Sequence, residues 1–301
     1  MKKAVFLTVS FLLTTGIISF GQSRVMDIYS GGSIKQTMDA AIVDSIKFRT
    51  FGESTASATY TAGVVNFDMI GVQGGTMKLN GTNVTLSSFA IGKTEVTQGL
   101  WLAVMGSWPS SSYQPGSYGS GFDYPAYYVS WNDIVGTSTK VGYTINGVEY
   151  KTDGFCYKLS KLVDENLSKK FILPTEAQWE YAARGGQQTH GYTYSGSNYA
   201  GDVSWNSSNS NNTTHLVASK DSNELGIYDM SGNVWEWCSD WYSSAYPFGT
   251  NNPVGAASGS SRVIRGGSWY YVASMCTVSY RFDNTPSYRD YNRGFRLALV
   301  P

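Results

Sequence analysis

The segment YDMSGNVWEW, residues 228–237, joins a tight turn at Gly232 to a short aromatic strand. Asp229 and Glu236 lie seven residues apart in it. One such turn could combine two carboxylates with the main-chain carbonyls of Gly232 and Val234, and these are the hard oxygen ligands that Ca²⁺ prefers. The residues alone also allow a second interpretation, in which Asp229 caps the turn and Glu236 pairs with an arginine.

The surrounding chain has 301 residues with balanced charge, 22 Lys plus Arg against 22 Asp plus Glu. This balance gives no overall attraction to nucleic acid, so no nucleic-acid partner is expected. Three cysteines cannot form a disulfide framework, and two histidines cannot supply a three-histidine metal site. With 33 Gly and 22 Tyr, the composition favours a loop-rich, aromatic-rich globular protein.

The first 21 residues have the pattern of a secretory signal peptide. Lys2 and Lys3 precede an apolar run over residues 4–20, and the small Gly21 offers a cleavage site. Hydroxyl side chains dilute the run and no cationic stop follows it, so an integral membrane protein is not expected. The pattern predicts export by a cleaved signal, with a periplasmic, cell-surface or extracellular mature protein.

Beyond the signal, residues 22–63 are predicted to form an N-terminal extension with a hairpin around SGGS at 30–33. A polar stretch at 53–61 is either a linker or one more exposed strand. The main domain is predicted over residues 64–301.

Three helices of the main domain have N-capping signals. The capping residues are Thr97, Ser130 and Thr175, the last with Gln178 at capping-box spacing. The long polar loops 106–123 and 194–214 lie between the helical segments, and loops of this kind typically surround a site.

Seven short motifs occur in one order: GGTM at 74–77, KTEVT at 93–97, VSW at 129–131, LPTEAQWEYAARGG at 173–186, YDMSGNVWEW at 228–237, RGGSW at 265–269 and GFRL at 294–297. Together they resemble the formylglycine-generating enzyme, or sulfatase-modifying factor, superfamily. The resemblance implies an α+β, C-type-lectin-like fold that is loop-rich, with small twisted antiparallel sheets and a few short helices. It also implies a family calcium site at Asp229, Gly232, Val234 and Glu236.

The catalytic members of that superfamily use two cysteines, five residues apart, to bind copper(I) and oxidise a sulfatase cysteine with oxygen. The corresponding positions here are Tyr271 and Cys276. A phenol is a hard, weakly acidic ligand that cannot replace a thiolate for copper(I), so copper is not expected. Ser268 and Trp235 match family active-site positions, but Ser268 could equally be a turn residue and Trp235 a core residue. We therefore expect a protein without this catalysis, with an active or altered oxidase as the alternative.

The cysteines leave three interpretations open. Cys276 could be a reactive lone thiol, because an exported cysteine without a partner is uncommon. Cys238 comes just after the Trp-Glu-Trp strand, which the resemblance places near the Gly-Gly-Ser segment, so Cys238 and Cys276 could also form a disulfide. Two small buried thiols would fit the sequence equally well.

Residues 266–301 contain no Lys, Glu or Gln but are rich in Tyr, Ser, Asn and Asp. This is the composition of an antibody paratope, where tyrosines give contact area and small polar residues adapt their hydrogen bonds. A framework of GGSW, Ala273, Cys276, Arg281, Pro286, Arg289 and GFRLA resembles the variable region of proteins diversified by retroelements. In such proteins adenine mutagenesis of asparagine codons rewrites the positions between. The alternative is a divergent C-terminus that merely keeps the family framework.

The resemblance assigns ligand binding to the residues between the framework positions: Tyr270, Tyr271, Val272, Ser274, Thr277, Tyr280, Phe282, Asp283, Asn284, Ser287, Tyr288, Asp290, Tyr291 and Asn292. We expect an exported, noncatalytic protein that binds an unknown protein or surface ligand through these residues. The alternatives are a formylglycine-generating oxidase and a structural component of a surface or secretion machine.

Overall fold

A computed structural model describes residues 57–246 and 249–300, and the backbone of three strands before them. The chain divides into two compact units, Met1–Thr50 and Phe51–Pro301. The strands are β1 Ile18–Phe20, β2 Val25–Ser30, β3 Ser33–Asp39, β4 Ala58–Ala62, β5 Val65–Val72, β6 Gly75–Leu79, β7 Thr82–Leu86, β8 Phe89–Gly92, β9 Val141–Ile145, β10 Val148–Lys151, β11 Phe171–Ile172, β12 Ser204–Trp205, β13 Ser231–Gly232, β14 Trp235–Trp241, β15 Arg262–Arg265, β16 Arg281–Asn284, β17 Arg293–Gly294 and β18 Ala298–Leu299.

The first unit contains an antiparallel sheet in the order β1-β2-β3. Strands β2 and β3 pair with Ser30 opposite Ser33, which is the hairpin predicted at 30–33. The rest of the predicted signal peptide lies outside the described residues, so its cleavage stays a prediction. Among the described residues, no helix has both the length and the hydropathy to cross a membrane.

The described residues of the second unit form two larger sheets and three two-stranded ones, β6-β7, β9-β10 and β12-β13. The larger has the order β11-β18-β8-β5-β4, and the smaller, in the order β16-β15-β14-β17, carries the aromatic strand at its centre. Strand β4 pairs with β5 along its whole length, so the strand alternative holds for 53–61 from Ala58 onward. The main domain therefore begins before residue 64, where the sequence analysis placed its start, because β4 belongs to its larger sheet.

In the part of the chain that the structure describes, five short α-helices accompany the sheets: α1 Gln98–Met105, α2 Trp131–Val135, α3 Phe155–Val163, α4 Glu176–Ala183 and α5 Ala200–Val203. The three predicted N-caps are confirmed, since Thr97, Ser130 and Thr175 each accept a backbone N–H with their side chains. Helix α3 was not predicted, because Gly154 at its N-cap offers no side-chain signal.

The core is unusually aromatic and includes buried arginines. Trp101 stacks on Phe155 with ring centroids 5.3 Å apart, and Phe295 packs edge-on against both rings. Every residue of α4 is buried, and Arg265 of β15 bonds the helix carboxylates Glu176 and Glu180 at 2.6 and 2.7 Å. These charge-assisted bonds fix α4 on the smaller sheet.

Candidate binding surface

The predicted ligand-binding residues lie between the end of β15 and the start of β17 and include much of β16. Six of them are exposed: Tyr270, Val272, Ser274, Phe282, Ser287 and Tyr288. Seven more are partly exposed: Tyr271, Thr277, Tyr280, Asp283, Asn284, Asp290 and Tyr291. We call these thirteen residues the variable surface. The structure thus leaves all of them within reach of a partner.

Asn292 is the exception, because it is only 1% exposed. Its side-chain oxygen accepts a bond from Arg293 Nη1 at 2.8 Å, and its carbonyl accepts the N–H of Trp235 at 2.9 Å. These bonds hold the chain against β14, so Asn292 belongs to the framework. Its assignment to ligand binding was wrong. The assignment considered which residues can arise by mutation of an asparagine codon, and this carries no information about backbone contacts with a neighbouring strand.

Two framework arginines tie this segment to different elements. Arg281 makes a two-pronged pair with Glu176 of α4, with bonds of 2.6 and 2.8 Å. Arg289 does the same with Asp133, the capping-box residue of α2, at 2.8 and 2.5 Å. Paired N–H···O bonds of this kind fix orientation as well as distance. The backbone that presents the variable surface is therefore held by ion pairs to helices α2 and α4.

The loop 106–123, which its length and polarity indicated as part of a site, contributes to the same face, although no sequence signal singled out Tyr118. Tyr118 packs on Trp269 and on the variable residue Tyr291, with ring centroids 5.3 and 4.7 Å apart. Thr214 holds Tyr118 in place, since its N–H and hydroxyl both donate to the Tyr118 carbonyl. Burial, with nearby Asp290, raises the pKa of Tyr291 to about 12. A tyrosine outside the variable segment is thus part of the surface.

The family catalytic positions are close together but do not form a copper site. Ser268 is buried, and Tyr271 packs edge-on against Trp235 with ring centroids 5.6 Å apart. Burial raises the pKa of the Cys276 thiol to about 11, so it is protonated at neutral pH. Copper(I) would need a second soft sulfur ligand, and Tyr271 offers a phenol instead. The residues present therefore do not fit the copper that the family uses.

All three cysteines are free and buried, so the structure has no bond between Cys238 and Cys276. Burial raises the pKa of the Cys238 thiol well above its ordinary value, and it also raises the pKa of the Cys156 thiol. Thiols that stay protonated are poor nucleophiles. Of the three interpretations, the structure supports the one in which the cysteines are small buried thiols.

The four residues predicted to bind calcium are all buried, and Glu236 has an arginine as its partner. Arg296 donates to both carboxylate oxygens of Glu236 at 2.6 Å, and Trp179 Nε1 donates to Oε2 at 2.6 Å. Asp229 accepts the N–H of Ala218 at 2.7 Å, and burial raises the pKa of its carboxyl to about 6. The described residues contain no cluster of three or more His, Cys, Asp or Glu side chains suited to a metal.

This arrangement favours the second interpretation of the YDMSGNVWEW segment, in which Glu236 pairs with an arginine. A cation bound to Glu236 would lie next to the Arg296 guanidinium, and like charges repel. The four residues in this arrangement do not fit a calcium ion. Calcium binding itself stays a prediction.

Comparison with known proteins gives consistent results. Residues 56–300 match the model of the FGE-sulfatase family, described as the sulfatase-modifying factor enzyme 1-like domain. The chain is 35% identical over 265 residues to the chaperone protein LppX of Paenibacillus barcinonensis, covering 75% of this chain and 89% of that one. It is 40% identical over 144 residues to the formylglycine-generating enzyme of Streptomyces coelicolor, covering 42% of this chain and 46% of the enzyme.

Among solved structures, Treponema denticola variable protein 1 superimposes with a TM-score of 0.66 at 33% identity. The match covers 81% of this chain and 99% of that protein. PvdO from Pseudomonas aeruginosa shares the fold, with a TM-score of 0.59 at 21% identity. The predicted C-type-lectin-like fold of the formylglycine-generating type is thereby confirmed, and the chain belongs to the FGE-sulfatase, or sulfatase-modifying factor, family.

Proposed function

We propose that this protein is a noncatalytic binding protein that uses the variable surface to recognise a partner. The observation that carries the proposal is the division of the C-terminal segment into two sets of residues. The thirteen variable positions reach solvent, whereas Trp269, Cys276 and Arg296 of the framework are buried. The framework residues Arg281 and Arg289 are partly exposed, but each is held in an ion pair. A surface built in this way can change its side chains without changing its fold.

The likeness to Treponema denticola variable protein 1 supports the same function, because its name describes a variable protein. The exposed aromatic residues support it too, since Tyr270 is 52% exposed and Tyr288 42%. Aromatic side chains of this kind are enriched among the residues that dominate binding energy at interfaces. Tyr118 would contribute as a constant contact beside the variable ones.

The shape of the surface favours a macromolecular partner. Small molecules usually bind in concave sites that enclose most of their area. Two cavities among the described residues are lined by other parts of the chain, and neither includes a residue of the variable surface. Exposed aromatic side chains outside such cavities fit another protein or an exposed surface ligand. The residues of the variable surface would differ from one variant of the protein to the next.

An active formylglycine-generating oxidase is the less favoured alternative. It would require a copper(I) site, and the single thiol at Cys276 is buried with a raised pKa. In our proposal the signal peptide at residues 1–21 directs export, so the variable surface meets its partner outside the cytoplasm.

Sequencing the locus from independent isolates tests the proposed function. Diversification predicts that differences concentrate at the thirteen variable positions, while Asn292, Arg281, Arg289 and Arg296 stay the same. It also predicts a neighbouring reverse transcriptase gene and a repeat of the segment from Trp269 to Phe295 that is rich in asparagine codons. Differences spread evenly over exposed residues of the whole domain, with no such repeat, would refute it.

A further inference from the structure

Five aromatic rings meet where the loop 106–123 reaches the variable surface. We call them the aromatic cluster: Tyr118, Trp269, Tyr270, Tyr271 and Tyr291. Tyr270 stands nearly perpendicular to Trp269 and to Tyr271, at an interplanar angle of 83° in both pairs. Its angle to Tyr291 is 76°. Edge-to-face contacts of this kind fix the relative orientation of aromatic rings. The cluster therefore presents rings in two nearly perpendicular directions at one place on the surface.

The aromatic cluster is supported from the inside and reaches solvent on the outside. Trp269 is only 1% exposed, and Tyr118 and Tyr291 pack on it with ring centroids 5.3 and 5.5 Å away. Tyr270 is exposed, whereas Tyr118, Tyr271 and Tyr291 are partly exposed. Aromatic side chains that are already held in place lose little conformational freedom when a partner binds. The outer rings of the cluster are thus rigid contact groups.

The rings of the aromatic cluster carry no cation of this chain. The face of an aromatic ring attracts positive charge, because its π electrons give it a negative potential. Two neighbouring rings are used in this way, since Arg293 lies over Tyr288 at 4.8 Å and Arg289 over Tyr113 at 5.6 Å. In the described part of the chain, no Lys or Arg lies over a ring of the cluster. The cluster can therefore accept a cation from a partner.

The charge beside the aromatic cluster is negative on its outer side. The carboxylate of Asp290 accepts the N–H of Tyr291 at 2.9 Å and the hydroxyl of Tyr288 at 3.3 Å. Its ion-pair partner Arg293 lies on the buried side, since the arginine side chain is 4% exposed and that of the aspartate 20%. Asp283 and Asp290 are the only charged residues among the thirteen of the variable surface. The variable surface thus offers a partner negative charge and no positive charge of its own.

We propose that the variable surface of this sequence recognises a basic segment of a partner protein, with a lysine or arginine side chain against the aromatic cluster. The charged group would lie on the solvent side of Tyr270, and its carbon chain would pack on the neighbouring rings. Asp290 would stabilise the same charge through space. This inference rests on the proposed binding function and adds the chemistry of the partner.

An NMR titration of the full mature protein, isotope-labelled at its tyrosine nitrogens, tests the inference. The probes are N-terminally blocked tetralysine amide and tetra-arginine amide, a tetralysine amide whose side chains are acetylated and so uncharged, and choline. We expect the lysine or the arginine peptide to shift the amide signals of Tyr270 and Tyr291. It should bind at least about fivefold more tightly than the acetylated peptide. Tighter binding of choline than of either peptide would assign the cluster to a quaternary ammonium headgroup and refute the basic protein segment.

Two variants of Tyr270 separate the attraction of a ring for a cation from plain apolar contact. Tyr270→Phe keeps the ring, whereas Tyr270→Leu keeps an apolar side chain without one. The leucine variant should therefore bind the preferred peptide about fivefold more weakly than the phenylalanine variant. Glu149→Gln removes a negative charge from the β9–β10 hairpin, outside the variable surface, and should leave the affinity unchanged. Equal binding by the two Tyr270 variants, equal binding of charged and acetylated peptides, or no shift with any probe at millimolar concentration would overturn the proposal.

Sequencing of the locus decides the proposed function separately from these titrations. Differences concentrated at the thirteen variable positions, together with no preference for the charged peptides, would refute the basic partner and leave the diversified binding function in place. Differences spread evenly over the domain would refute that function whatever the peptides do.

Discussion

Replacing Glu236 by glutamine tests the buried centre of the domain. Glu236 and Arg296 are both 0% exposed, and their two bonds are each 2.6 Å long. Glutamine keeps one acceptor oxygen but places an N–H₂ group towards a guanidinium N–H, so two donors meet. The variant also leaves the Arg296 charge without its nearest counter-charge.

The expected loss follows from what remains around Arg296. Breaking a buried ion pair from one side costs roughly 3–5 kcal/mol. Glu95 and Asp229 also act on Arg296 through space, and they would compensate part of the missing charge. We therefore expect the lower end, about 3 kcal/mol in the free energy of unfolding.

Urea unfolding, followed by tryptophan fluorescence, measures this change with calcium and with a chelator. If Arg296 is the partner of Glu236, the loss should be the same in both conditions, because no bound ion is involved. Glu149→Gln on the exposed hairpin is the matched control and should change the stability by about 0.5 kcal/mol or less. A loss that appears only with calcium would refute the arginine pairing and support the calcium site. A loss below about 1 kcal/mol would contradict the assigned role of the pair.

Three further predictions concern a carboxyl, a thiol and a glycine. Burial raises the folded-state pKa of Asp240 to about 7 from an ordinary 3.8, so its contribution to stability is complete below the lower value and decreases as the pH rises through the higher one. Relative to Asp240→Asn, the wild type should therefore lose up to about 1.4 kcal/mol per pH unit across that interval, measured by urea unfolding. A sulfatase-motif peptide should acquire no formylglycine with copper and oxygen; aldehyde formation above that of a Cys276→Ser variant would refute the noncatalytic proposal. Gly232→Ala should prevent folding or lower the melting temperature strongly, because a Cβ would lie 2.2 Å from the Trp205 carbonyl oxygen and φ is +85°. A melting temperature equal to that of the wild type would contradict this packing.

The features that sequence predicted best have local causes. A capping box needs only Thr175 and Gln178 three residues apart, and both of its bonds are present at 3.2 and 2.9 Å. The exposure of the variable surface was predicted from the resemblance of its framework to the variable regions of retroelement-diversified proteins. The ordered motifs predicted the fold family, which the match of residues 56–300 to the family model confirms.

The features that sequence missed depend on contacts between distant parts of the chain. Tyr118 joins the surface because the loop 106–123 packs on Trp269, and no periodicity encodes that contact. Strands β13 and β17 have two residues each, too few for a pattern. Asn292 is buried by the pairing of its own carbonyl with β14.

The most direct test of the account compares the stability of the variable surface with that of its framework. Replacing Tyr270, Val272 and Tyr288 together by Ser should lower the free energy of unfolding by about 1 kcal/mol or less, since substitutions of exposed side chains usually change little. Replacing Arg289 by Ala should cost more than the triple variant, because it removes the two bonds that Arg289 donates to the α2 carboxylate Asp133. If urea unfolding instead shows that the triple variant is the less stable of the two, those side chains hold the fold together, and the variable surface is not free to diversify.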